Sequence, residues 1–259
     1  MTNTWAVILG GSTGLGLASA KKLAQNGYHI IIIHRSPRMF EKHNLLHFED
    51  IKSFGVQLKT YNIDATKPNK RNEVIDDLKS VFNPSEKISV LVHSIAKGNL
   101  KPMHSDTHPE LQQDDFNITF QAMALSLYDW VKDLFKAQLF SNDTRVISFT
   151  SEGNQKVIPN YAAVSVAKVS LEALTKHIAV EFASFGIKAN CIQAGVTETE
   201  SLKRIPGYEK LITYSLKRNP NHRLTKPEDV ANAVYLLCLP EANWITGNII
   251  PVDGGEHLI

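Results

Sequence analysis

Sulfur is scarce in this sequence: two cysteines, Cys191 and Cys238, occur among 259 residues. Each stands in an apolar run, and neither has a CxxC partner or an adjacent histidine. Both are expected to be buried thiols rather than a disulfide or a thiol nucleophile, which fits a reducing compartment. Strong charge is missing too. The formal net charge is +2, with no basic tract or tail, which removes the electrostatic footprint of a nucleic-acid binder. No apolar run approaches the roughly 20 residues of a membrane span. The opening Met1-Thr2-Asn3-Thr4-Trp5 lacks a basic region followed by an apolar one, so no signal peptide is expected. A cytoplasmic chain that binds neither nucleic acid nor membrane is the expectation. His104, Asp106 and His108 have ligand-like spacing but lie between Pro102 and Pro109, so no helix should present both rings and no metal is expected. Repeats, low-complexity stretches and linkers are also lacking, which leaves one domain over 1–259.

What is present is an alternation of short apolar runs with longer amphipathic ones. Strands are expected at 5–9, 29–33, 56–62, 88–92, 145–150, 187–192 and 249–250. Helices are expected at 15–26, 39–54, 70–82, 111–139, 160–184 and 227–239, the last with Pro227 at its first position after Lys226. The run 29–33 is apolar on both faces, as a central parallel strand covered on both sides must be. The pattern predicts an α/β, doubly wound parallel sheet of about seven strands with helices on both faces and right-handed crossovers. A long segment, 193–225, carries no expected element.

Between the first strand and first helix stands Gly10-Gly11-Ser12-Thr13-Gly14-Leu15-Gly16. Gly10, Gly14 and Gly16 supply a tight turn, close approach of backbone to a pyrophosphate and close helix packing, while the helix N-terminus offers free N–H groups to phosphate. In this position the loop reads as a dinucleotide site rather than an ordinary glycine turn. At the end of the second strand, where a carboxylate would hold a ribose 2′-hydroxyl, the chain has His34-Arg35-Ser36. A guanidinium and a hydroxyl suit a 2′-phosphate, and no acid repels it, so NADPH is the expected cofactor. Asp64, after the third strand, is placed either to reach an adenine amino group or to cap a turn.

Farther on, Tyr161 is followed seven positions later by Lys168. Asn160 suits a helix N-cap, which would put Tyr161 in the first turn. Seven residues are almost two turns, so the side chains would lie about 20° apart and roughly 10 Å along the axis. A phenol and an ammonium so placed can share a cleft, the phenol as proton donor and the ammonium lowering the phenol's pKa. Alone, the pair also fits a half-buried tyrosine beside a solvated lysine.

The glycine loop, Asp64-Ala65, the Tyr161–Lys168 helix and the closing Val252-Asp253-Gly254-Gly255 together resemble the short-chain dehydrogenase/reductase family over essentially the whole chain. The usual member has tyrosine four positions before lysine, where Val164 stands here. Tyrosine seven before lysine is the pattern of the divergent enoyl-acyl-carrier-protein reductases. Val92-His93-Ser94-Ile95-Ala96, Ile158-Pro159-Asn160-Tyr161 and the run after Lys168 resemble that branch as well. Gly98-Asn99-Leu100-Lys101-Pro102 and the segment after Gly195 look most like its type III enzymes, which generally prefer NADPH.

The resemblance implies a single-domain Rossmann fold that reduces trans-2-enoyl thioesters on acyl carrier protein in fatty acid biosynthesis, as a homotetramer packed through 111–139 and 160–184. It implies Tyr161, Lys168 and Ser151 as catalytic residues. Cofactor contacts would come from Gly10, Ser12, Thr13, Gly14, Leu15, Gly16, Arg35, Ser36, Asp64, Ala65, Ser94, Ile95, Ala96, Lys168, Gly195, Val196 and Thr199. His93 is expected to line the cofactor crevice. Ser151 either contacts the thioester or stabilises a turn, and Gln121 stands where many members carry a relay asparagine. Segment 196–226 is expected to be a substrate lid. Its Lys203, Arg204, Lys210, Lys217, Arg218, Arg223 and Lys226 either steer an acidic carrier protein or form a solvated face. Reduction of another enone or a ketone, or cofactor binding without catalysis, are the alternatives.

Overall fold

The computed structural model describes residues 4–259, so Met1, Thr2 and Asn3, and the signal-peptide reading that rests on them, lie outside it. Seven strands form one parallel sheet: β1 (Thr4–Leu9), β2 (His29–His34), β3 (Leu58–Asn62), β4 (Lys87–His93), β5 (Phe140–Ser151), β6 (Ile187–Ala194) and β7 (Ile249–Val252). Their order is β3-β2-β1-β4-β5-β6-β7. The order reverses between β1 and β4, and such a switch point opens a crevice at the carboxyl ends of the strands.

The sheet is parallel because each pair of strands is joined by a helical crossover, and it is buried because those helices cover both faces. β2 is buried along its whole length. Alternate residues feed two cores. Val7, Leu9, Ile31, Ile33 and Leu91 pack against α3 (Pro68–Val81), α5 (Ser126–Lys136) and α6 (Ala162–Glu181). Ile8, Ile30, Ile32, Val90 and Val92 pack against α1 (Gly14–Gln25), α2 (Glu41–Lys52) and α8 (Pro227–Cys238). α8 begins with Pro227 after the N-cap Lys226, as its sequence predicts. Among the described residues no helix is long and apolar enough to cross a membrane.

Three elements depart from expectation. The run 39–54 opens with a 3-10 turn, Arg38–Phe40, before α2. The expected helix over 111–139 is interrupted. A capping box between Gln112 and Asp115 starts α4 (Gln113–Phe120), a π-helical stretch Gln121–Leu125 follows, and α5 ends near Gln138, whose φ is +57°. The segment 193–225 contains α7 (Tyr208–Arg218), in which Ser215 is buried, Leu211 and Ile212 are half-buried, and Tyr214, Leu216, Lys210 and Lys217 are exposed.

Candidate functional site

At the carboxyl ends of the strands lies a large cleft of about 860 Å³. All the candidate residues except Gly16 and Ser36 line it. Gly16 sits one step back, where an added Cβ would stand 2.3 Å from the Gly10 carbonyl, so it lets α1 close onto the loop. Gly10 itself has φ +82°, and a Cβ there would stand 2.5 Å from the Ser94 carbonyl. Thr13, the N-cap of α1, makes no side-chain cap hydrogen bond, so the first N–H groups of the helix remain available to an anion. Loop, helix end and cleft therefore fit a dinucleotide pyrophosphate. Thr199 closes over the loop, its methyl 3.5 Å from where a Cβ on Gly14 would lie. Ser36 braces the loop from outside, its hydroxyl 3.3 Å from that of Ser12 and 2.9 Å from Nδ1 of His34.

At the adenosine end Arg35 donates to Oδ2 of Asp64 at 2.8 Å, and Lys97 approaches the same oxygen at 3.9 Å. Oδ1 of Asp64 accepts from the backbone N–H and hydroxyl of Thr66, so the carboxylate does cap a turn. Burial pushes the Asp64 carboxyl up, but these hydrogen bonds and the charge of Lys97 outweigh it and hold it at about 2. Lys97 is a cation that the sequence reading passed over. Ala65 is oriented through its carbonyl, which accepts from the indole of Trp130 at 3.0 Å.

At the other end Tyr161 and Lys168 enter the same cleft. Asn160 is not the N-cap. It adopts φ +64°, and Tyr161 takes the cap position with α6 starting at Ala162. The tyrosine hydroxyl lies 3.3 Å from that of Ser151 at the end of β5. Its ring rests against Gly153, where a Cβ would come within 2.7 Å, a requirement with no signal in the sequence beyond the glycine itself. Burial raises the Tyr161 pKa, and the hydrogen bond with Ser151 offsets only part of that. This corrects the expectation that Lys168 lowers it. The Lys168 ammonium is directed to the Phe149 carbonyl at 2.7 Å, and burial pulls its pKa down to about 8. Gly195 serves by close approach rather than by a left-handed turn, for a Cβ there would lie 2.3 Å from the Thr225 hydroxyl.

Other readings are corrected by placement. Gln121 does not line the cleft; its amide donates to Asp129 at 3.2 Å. His93 does not line it either. It is fully buried, bonded to Ser126 at 2.8 Å, and burial followed by the charge of Lys168 lowers its pKa to about 3, which leaves a neutral imidazole. Of the basic side chains in 196–226, Arg218 is buried with Glu152 and Glu256, Arg223 pairs with Asp229, and Lys203 pairs with Glu200. Arg204, Lys210, Lys217 and Lys226 are left on the surface. His104 bonds Glu110, and His108 bonds Thr107. Cys191 is buried and Cys238 partly buried, both as free thiols.

Known proteins resemble this chain along nearly its whole length. The family model described as enoyl-(acyl carrier protein) reductase matches residues 10–257. An enoyl-[acyl-carrier-protein] reductase [NADH] of Enterococcus faecalis is 27% identical over 261 residues, covering 100% of this chain and 99% of the relative. A 7alpha-hydroxysteroid dehydrogenase of Paraclostridium sordellii is 28% identical over 260 residues, covering 100% and 93%. The crystal structure of an enoyl-[acyl-carrier-protein] reductase (NADH) from Aquifex aeolicus superposes with a TM-score of 0.84 at 23% identity, covering 99% of this chain and 97% of that one, a likeness of fold.

Proposed function

The chain belongs to the short-chain dehydrogenases/reductases, in the family described as enoyl-(acyl carrier protein) reductase, and from that premise we propose that this oxidoreductase reduces the carbon–carbon double bond of trans-2-enoyl thioesters with NADPH. The observation that carries the reading is the Tyr161 hydroxyl, seven positions before Lys168 and standing with it in one cleft with the glycine loop. When bound, NADPH supplies a hydride to the β-carbon of the enoyl thioester. Negative charge then collects on the thioester oxygen, several bonds away. Tyr161 donates a hydrogen bond to that oxygen; its raised pKa keeps the phenol protonated at neutral pH. Ser151 orients the phenol through their 3.3 Å contact. Lys168 holds the nicotinamide ribose and adds positive charge beside the reacting centre. The glycine loop and the N-terminus of α1 hold the pyrophosphate.

NADPH is proposed on the strength of Arg35, whose side chain is 61% exposed at the end of β2 and free to turn from Asp64 to a 2′-phosphate. The two enoyl reductases above carry NADH in their names, so the proposed preference rests on this chain's own β2 end. Acyl carrier protein is proposed as the carrier because Arg204, which lines the cleft, and Lys210 and Lys217 of α7 are exposed cations in this segment, and 196–226 is proposed as the lid over the acyl chain. A homotetramer is proposed because Ile118 and Phe120 of α4 and Val166 and Val169 of α6 leave apolar side chains exposed. A cytoplasmic place in fatty acid biosynthesis goes with that substrate.

A second reading, reduction of a ketone, draws on the Ser151–Tyr161 hydroxyl pair, which can also donate to a carbonyl that receives hydride on its own carbon. NADPH oxidation with crotonyl against acetoacetyl thioesters separates the two. Preference for the crotonyl thioester is expected, and preference for the keto thioester rejects the enoyl reading.

A further inference from the structure

Three charged side chains from distant parts of the chain meet at the substrate end of the cleft. Arg218, the last residue of α7, donates Nη1 to Oε1 of Glu152 at 3.2 Å and Nη2 to Oε2 of Glu152 at 2.5 Å. Nη2 also donates to Oε1 of Glu256 at 2.8 Å. The guanidinium lies over the Tyr214 ring at 5.3 Å. The Arg218 side chain is 6% exposed and that of Glu256 only 2%. Lys156 joins from outside, 2.8 Å from Glu152.

Burying this much charge is unfavourable unless every polar atom is satisfied, and here several are not. Nε of Arg218, Oε2 of Glu256 and Oγ of Ser215 are buried without a hydrogen-bond partner. An apolar trio of the same volume would hold α7 with no such penalty. What it could not supply is direction. A guanidinium fork fixes both the distance and the plane of the groups that it joins.

The joined groups are the parts of the substrate wall. Leu211, Tyr214, Ser215 and Arg218 form the inward face of α7 and line the cleft. Glu152 directly follows Ser151 in the turn whose Gly153 supports the Tyr161 ring. Glu256 lies in the C-terminal turn Glu256–Leu258. We propose that Arg218 is a positioning residue: by clamping α7 to Glu152 and Glu256 it sets the helix over the acyl cleft and holds the turn that carries Ser151 against Tyr161. The proposal rests on a thioester entering beneath α7, but not on which of its bonds is reduced.

Full-length Arg218→Met, Arg218→Lys and Glu256→Gln test it. Two readouts apply: trypsin cleavage at the exposed Arg204, Lys210 and Lys217, and the KM values for thioester and for NADPH. Arg218→Met is expected to speed cleavage about tenfold and raise the thioester KM about tenfold, with the NADPH KM within about twofold. Arg218→Lys should recover only part of this, because an ammonium cannot make the fork. Glu256→Gln, which leaves the Glu152 pair intact, should show a smaller effect of about threefold. A folded Arg218→Met with wild-type proteolysis and wild-type thioester KM overturns the proposal, as does an equal rise in both KM values. Should the wild type turn over no thioester, the functional reading fails, and the proteolysis rates still decide the clamp.

Discussion

The two ends of the cleft are built by different means. The glycine loop at one end is made of backbone, Gly10, Gly14, Gly16 and the uncapped start of α1, all within seven positions, with the side chains of Arg35, Asp64 and Lys97 beyond it. The substrate end is made of charged side chains that cross large sequence distances, Glu152 to Arg218 over 66 positions and Arg218 to Glu256 over 38. The glycine loop needs few ordered side chains to keep its shape. The substrate end depends on directional pairs whose removal leaves buried charge. On the proposed function, the backbone cradle would take the dinucleotide and the charged clamp would flank the acyl chain.

This contrast can be broken or sharpened experimentally. The largest effect is expected where the two ends meet. Tyr161→Phe should lower kcat by about 10²- to 10⁴-fold while NADPH binding, followed by fluorescence titration, stays near wild type. Unchanged turnover would remove the phenol from the chemistry. At the backbone end, Gly16→Ala forces a Cβ to 2.3 Å from the Gly10 carbonyl. It should cost about 1–3 kcal/mol through overpacking, read as weaker NADPH binding and a lower Tm, with little change in trypsin cleavage of 196–226. Arg35→Gln removes a charge-assisted contact of about 1.5–3 kcal/mol, which should cut the preference for NADPH over NADH about tenfold or more in competitive titration.

The pH profile follows from Lys168, whose pKa burial lowers to about 8. Above that pH the native ammonium loses its proton, so kcat/KM should fall on an alkaline limb near pH 8. Stability should move the other way. Between about 8 and the ordinary lysine range the unfolded chain holds a proton that the native one has released, so unfolding becomes harder as pH rises. The smallest effect is expected from reversing charge at Arg204, Lys210 and Lys217. Exposed charges are screened, and about a threefold rise in KM for carrier-protein substrates over coenzyme A thioesters is the expected reading. An equal rise for both would remove the steering role.

What could be read in advance divides along the same line. The strand–helix alternation, the glycine loop and the seven-position spacing of Tyr161 and Lys168 are local patterns, and the fold brings all three to one cleft, with Tyr161 at the cap of α6 instead of in its first turn. The π-helical stretch Gln121–Leu125 left no mark, because one extra residue in a turn hardly changes an amphipathic pattern, yet it accompanies a Gln121 amide turned to Asp129 instead of the cleft. α7 was hidden by its lysines, which read as a charge run. Arg218 looked like one more surface cation. Only the return of the chain through Glu152 and Glu256 buries it, and no spacing rule connects those positions.

The most direct measurement uses NADPH carrying deuterium at the transferable position, with crotonyl thioester as substrate. If Tyr161 holds the thioester oxygen while hydride goes to the far carbon, the product is a butyryl thioester with deuterium on its β-carbon. Crotonyl thioester left intact, with deuterium appearing instead on the hydroxyl-bearing carbon of a product made from acetoacetyl thioester, would contradict it.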